Sequence, residues 1–181
     1  MLYIIRHGRT DWNNLNKLQG GVDIPLNEEG RQMAKIAHDD YNSVHFDRCY
    51  TSPLSRAKET ASILLENRDV PIIIDDRLRE LSFGDYEGEL YNPSPLDEIN
   101  LLFEHPESYV ALNNAESLDS LFLRVKSFLD EVVNKDLENG LDVLIVGHGA
   151  LNSCINAIIN NLPREKFWSL ERKNCRLIKL R

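Results

Sequence analysis

Arg6 and His7 stand side by side where the apolar run Leu2-Tyr3-Ile4-Ile5 gives way to Gly8. Far along the chain a second imidazole, His148, follows a second apolar run, Asp142-Val143-Leu144-Ile145-Val146-Gly147, and is again followed by glycine, Gly149. Between them lies Arg56, just beyond the short segment Phe46 to Thr51. Two guanidiniums and two imidazoles suit a phosphoryl group, whose oxygens accept paired hydrogen bonds from arginine. An imidazole is also largely neutral near pH 7 and can act as a nucleophile. The chemistry this set permits is phosphoryl transfer through a phosphohistidine. Such a transfer needs an acid for the leaving alkoxide, and Glu80 is the first candidate, ahead of Asp85 and Glu87.

For these residues to meet, the elements that carry them must share one edge. The runs at 2–5 and 142–147 read as buried strands, the second of the kind seen at the centre of a sheet covered on both faces. Phe46 to Thr51, Val70 to Ile74 and Leu177 to Leu180 are three further strand candidates. Asn27, followed by Glu28 and Glu29, predicts a helix cap, with a helix running to about Asn42. Ser52 and Pro53 fit the cap and first position of another helix, which puts Arg56 in its first turn. The apolar spacing from Leu118 through Val133 predicts a long amphipathic helix closed by Gly140, and Leu151 through Ile159 predicts one more, stopped by Pro163. Leu18 to Leu26 is rich in turn formers and is expected to lie over the first strand's end. The segment from about 86 to 116, broken by Pro93, Pro95 and Pro106, carries at most a short helix from Leu96 to Glu104 and is expected to form a lid or side wall. Strands alternating with helices predict an α/β fold: a three-layer sandwich with a mostly parallel central sheet and helices on both faces. In such a sheet, ligands bind at the carboxyl ends of the strands.

With 181 residues, 42% of them apolar, the chain fits a single domain spanning 1–181 with a substantial core. A net charge of -8 argues against nucleic acid or an anionic membrane as partner, since both call for a basic face. The start of the chain has no signal-peptide pattern and no apolar run long enough to span a bilayer, so the expected location is cytoplasmic. Cys49, Cys154 and Cys175 are too widely spaced for a zinc cluster and read as small apolar fillers. The five histidines show no metal-ligand spacing, so neither metal nor cofactor is expected. A homo-oligomer is compatible with the sequence.

Arg6-His7-Gly8 with Thr10 and Asn13, the segment Ser52-Pro53-Leu54-Ser55-Arg56-Ala57, the loop Glu80 to Gly88, and Gly147-His148-Gly149 together resemble the histidine phosphatase superfamily, in its phosphoglycerate-mutase-like branch. The similarity extends over nearly the whole chain, in family order. It implies a phosphorylated intermediate on His7, with Arg6, Arg56 and His148 around the phosphate and Glu80 as proton donor and then base. Asn13 matches a position that contacts the phosphate, and Thr10 and Gly20 complete the expected substrate-binding set. The loop from Arg79 to Gly88 looks more like the small phosphatases, which include α-ribazole phosphatase, than the glycolytic mutases. The expected function is hydrolysis of a small phosphorylated metabolite. A phosphoglycerate mutase is the alternative. A non-catalytic module that binds phosphorylated ligands or proteins is disfavoured, because such members usually lose the nucleophile or the second histidine and both stand here.

Overall fold

A computed structural model describes residues 1–91 and 98–181. The strand β1 (Leu2–Arg6) alternates Leu2 and Ile4 with Tyr3 and Ile5, so it offers an apolar surface to both faces of a sheet. Its neighbours are β4 (Val143–Gly147), parallel, and β5 (Leu177–Lys179), antiparallel. The remaining strands, β2 (Arg48–Thr51) and β3 (Ile72–Ile74), extend the sheet in parallel to give the order β3-β2-β4-β1-β5. The fully buried β4 lies at the centre, as its unbroken apolar run requires.

One face buries Tyr3, Ile5, Cys49, Leu144 and Val146 with Ala34 and Ala37 of α2 (Glu28–Asp40) and Ala57, Ala61 and Leu64 of α3 (Ser55–Leu64). The other buries Leu2, Ile4, Tyr50, Val143 and Ile145 with Leu121, Val125 and Phe128 of α5 (Leu118–Phe128) and Leu151, Cys154 and Ile155 of α7 (Gly149–Ile159). The three expected layers are therefore present. The short α1 (Asp11–Asn14) buries no residue, α4 (Glu98–Glu104) adds Ile99 and Leu102 to the second core, and the chain of α5 continues through a π turn at Leu129–Val133 into α6 (Asn134–Glu138). Among the described residues no helix is long and apolar enough to cross a membrane. All three cysteines are free and buried.

Several strand and helix ends fall a residue or two from the sequence reading, and two differences matter more. Ser52 does not cap α3: its N–H donates to the Val146 carbonyl at 3.3 Å, prolonging the β2–β4 ladder. Its hydroxyl accepts the Leu54 N–H, and the helix begins at Ser55 with Leu54 in the cap position. Sheet pairing has overridden the local capping signal, although Arg56 keeps its place in the first turn. The short helix expected from Leu96 begins at Glu98 as described, while Leu96, Pro93 and Pro95 lie outside the described residues.

Candidate active site

The carboxyl end of β1 is locked in place by its surroundings. The Gly8 N–H donates to Thr60 Oγ1 at 3.0 Å, and the Thr60 hydroxyl donates to the Arg56 carbonyl at 2.7 Å, joining the first turn of α3 to the β1 loop. A Cβ on Gly8 would overlap the Gly30 carbonyl, so only glycine lets α2 come this close. From the opposite side, Cys175 N–H donates to the Arg6 carbonyl at 2.9 Å and Asn174 Nδ2 to the His7 carbonyl at 2.6 Å.

Nδ1 of His7 lies 2.6 Å from the Gly8 carbonyl oxygen. A carbonyl only accepts, so the proton of a neutral ring is assigned to Nδ1 and the lone pair to Nε2. Burial, aided by the charges of Arg56 and Arg6, holds this imidazole well below the ordinary histidine range and keeps it neutral at pH 7. His148, at the end of β4, is fully buried with its ring centroid 5.1 Å from that of His7. It too is held well below its ordinary range, chiefly by burial and then by Arg56.

Arg56 is 1% exposed and donates to the carbonyls of Gly20 at 2.8 Å and Val22 at 2.7 Å, which pins the Leu18 to Leu26 loop over the strand ends. Burial brings its guanidinium down to about 10, still charged at neutral pH. Arg6 donates through Nη1 to the Arg172 carbonyl at 2.7 Å. The Nε groups of Arg6 and Arg56, and both ring nitrogens of His148, are buried without a protein partner. Buried donors left unpaired cost about 1–3 kcal/mol each. Several gathered around one imidazole are suited to the oxygens of a tetrahedral anion.

The Glu80 carboxylate lies at the amino end of α7, accepting the N–H groups of Leu151 at 2.9 Å and Ala150 at 3.1 Å. These first-turn amides have no partner within the helix and favour an anion. The loop bearing Glu80 is held by Arg124, which donates to the carbonyls of Arg77, Arg79 and Glu80 at 2.6, 2.8 and 3.2 Å and pairs with both Glu116 oxygens at 2.8 Å.

A cavity of about 150 Å³ opens here, lined by Arg6, His7, Asn13, Gly20, Arg56 and Glu80 among others. His148 does not line it and packs against His7 instead. Thr10 also stays out of the cavity: it caps α1, and its hydroxyl donates to Gln19 Oε1 at 2.8 Å, so its contact with the site runs through Asn13 and Gln19. Neither weaker acid candidate reaches the cavity. Glu87 accepts the N–H groups of Gly21 and Phe83, and Asp85 accepts from the Asn114 side chain. Cys175 stands six positions before Arg181, the spacing of cysteine-dependent phosphatases. Here the intervening residues form β5, and burial pushes the thiol up to about 12, so the pair makes no phosphate loop.

Sequence reasoning missed Lys17, Gln19, Trp168 and Arg172, which also line the cavity, whereas Phe103, expected with Tyr91 and Tyr109 to set specificity, does line it. A second cavity of about 280 Å³ adjoins it and shares Arg6, Asn13, Lys17, Phe103 and Arg172. Tyr91 reaches this outer space, whereas Tyr109 turns away and donates its hydroxyl to the Glu116 carbonyl. One signal for Arg172 was present. An antiparallel last strand begins at the edge where β1 ends, so residues just before it fall beside the site.

The model of the histidine phosphatase superfamily (branch 1) matches residues 2–181. The uncharacterised phosphatase PhoE of Bacillus subtilis is 37% identical over 88% of this chain and 75% of its own length. The 2,3-bisphosphoglycerate-dependent phosphoglycerate mutase of Cytophaga hutchinsonii is 34% identical over 82% of this chain and 72% of its own. Among solved structures, the α-ribazole phosphatase of Shigella flexneri superposes with a TM-score of 0.83 at 26% identity, over 97% of this chain and 87% of that one. Sequence and fold together establish that this chain belongs to branch 1 of the histidine phosphatase superfamily.

Proposed function

We propose that the protein hydrolyses a phosphomonoester of a small metabolite through a phosphohistidine on His7. The observation that carries this reading is the 2.6 Å contact of His7 Nδ1 with the Gly8 carbonyl, which assigns the proton to Nδ1 and the lone pair to Nε2, in a cavity lined by Arg6 and Arg56. In the first step Nε2 attacks phosphorus and the ester P–O bond breaks. The electron pair leaves with the substrate oxygen, which takes a proton from Glu80 in its protonated, carboxylic acid form. In the second step water attacks the phosphohistidine, gives a proton to Glu80, and the N–P bond breaks to return the lone pair to His7. Arg6 and Arg56 stabilise the charge that spreads over the phosphoryl oxygens, Asn13 binds beside them, and His148 packs against the His7 ring.

The whole chain, 1–181, serves in this reading as one phosphatase domain with the segment at about 86–116 as its side wall, working in the cytoplasm. Its partner is a small phosphorylated metabolite, with neither nucleic acid nor membrane involved. α-Ribazole 5′-phosphate is one substrate that the resemblance suggests. Incubation with a panel of phosphomonoesters that includes α-ribazole 5′-phosphate and 3-phosphoglycerate tests the reading, with released phosphate measured separately from isomerised phosphoglycerate. Hydrolysis predicts phosphate release as the main outcome. Interconversion of phosphoglycerates without net phosphate release would replace it with the mutase reading.

A further inference from the structure

We propose that Lys17 and Arg172 form a second anion subsite on the leaving-group side, selecting a substrate whose short carbon chain carries a carboxylate or second phosphate besides the scissile ester. This rests on the reading of the site given above. Both residues line the inner cavity and the outer one, so both stand where the two spaces join.

Arg172 is exposed and Lys17 partly buried, yet both are anchored through backbone bonds and ring contacts. The backbone around Arg172 is fastened to the nucleophile loop, since its carbonyl accepts from Arg6 Nη1 while Asn174 and Cys175 bond the His7 and Arg6 carbonyls. Its guanidinium sits over the Trp168 ring at 4.8 Å, which fixes its direction. Lys17 bonds the Trp12 carbonyl through its N–H at 2.8 Å, and the next residue, Leu18, is paired with Glu89 and Gly88. The Lys17 ammonium lies 5.6 Å from the Trp12 ring centroid.

Among the described residues neither cation meets a carboxylate. Glu171, adjacent to Arg172, is engaged by Lys173 and Arg176. In a chain of net charge -8, two uncompensated cations facing one cavity make a local field that attracts anions. Phe103, stacked on Trp168 at 5.4 Å with Tyr91 edge-on at 4.8 Å, gives an apolar side to the wall, and Asn13, Asn16 and Gln19 complete it. α-Ribazole 5′-phosphate, whose base is uncharged at neutral pH, falls on the disfavoured side.

The test uses three matched esters: propyl phosphate, 3-(phosphonooxy)propanoate and propane-1,3-diol bisphosphate. For the wild-type protein, kcat/KM for one or both of the doubly anionic esters should exceed that for propyl phosphate by about tenfold or more. The carboxylate and bisphosphate arms say which second anion fits. In the double variant Lys17→Gln/Arg172→Gln that ratio should fall toward one, mainly through KM. A wild-type ratio near one, or a ratio that the double variant leaves unchanged, overturns the subsite while hydrolysis itself stands. Failure of all three esters to yield phosphate, with no phosphorylation of His7, overturns the proposed hydrolysis and the subsite with it.

Discussion

The Leu151 backbone N–H donates to the Glu80 carboxylate at 2.9 Å, so the proposed acid is held by the same helix whose first residue follows His148. One turn of backbone thereby sets the spacing between the second imidazole and the proton donor. Glu80→Gln keeps the shape and removes the transferable proton. It should lower kcat/KM for an alkyl phosphate by about 10²- to 10⁴-fold. For p-nitrophenyl phosphate, whose leaving group needs no protonation, the loss should be far smaller. Equal losses on both substrates would remove Glu80 from the acid role.

Arg124 acts on the same carboxylate at one remove, through the loop carbonyls it gathers. Arg124→Lys retains the charge but cannot reach three carbonyls and Glu116 together. The expected result is a selective loss on alkyl phosphates of about tenfold, like Glu80→Gln in kind and smaller in size. A uniform loss across leaving groups would mean that Arg124 merely stabilises the fold.

Gly8 sets how closely α2 approaches the nucleophile. A methyl group at this position meets the Gly30 backbone, which cannot rotate away. Gly8→Ala should cost about 1–3 kcal/mol in denaturant unfolding and reduce turnover by displacing His7. Wild-type stability together with wild-type kcat would contradict the tight approach.

Both site histidines are driven below their ordinary range on folding, chiefly by burial. Below about pH 6.5 the unfolded chain binds protons there that the folded chain refuses, so stability falls as pH falls from that point toward the depressed folded values. Each group contributes a slope of up to about 1.4 kcal/mol per pH unit in that window. Replacing His148 with Gln should therefore flatten the loss of stability between about pH 6.5 and 5.5, as measured by urea unfolding. An unchanged slope would mean that His148 takes up protons alike in the folded and unfolded protein.

Much of this was legible in sequence because it rests on periodicity and strand ends. The apolar runs at β1 and β4 placed Arg6, His7 and His148 on one edge, and the turn into α3 added Arg56. The residues that escaped are those on irregular backbone. Lys17 and Arg172 sit in segments without a repeat, and only tertiary hydrogen bonds bring them to the cavity. Thr10 reads as a ligand in the motif but is used as a helix cap. The π turn at Leu129–Val133 is equally silent, since one wider turn barely shifts an apolar stripe.

The most direct measurement is the fate of phosphorus in the first turnover. Wild-type protein mixed with a phosphomonoester and quenched in alkali should carry an acid-labile phosphoryl group that maps to His7, and His7→Ala should carry none and release no phosphate. A phosphoryl group on another residue, or turnover that survives in His7→Ala, would contradict the account.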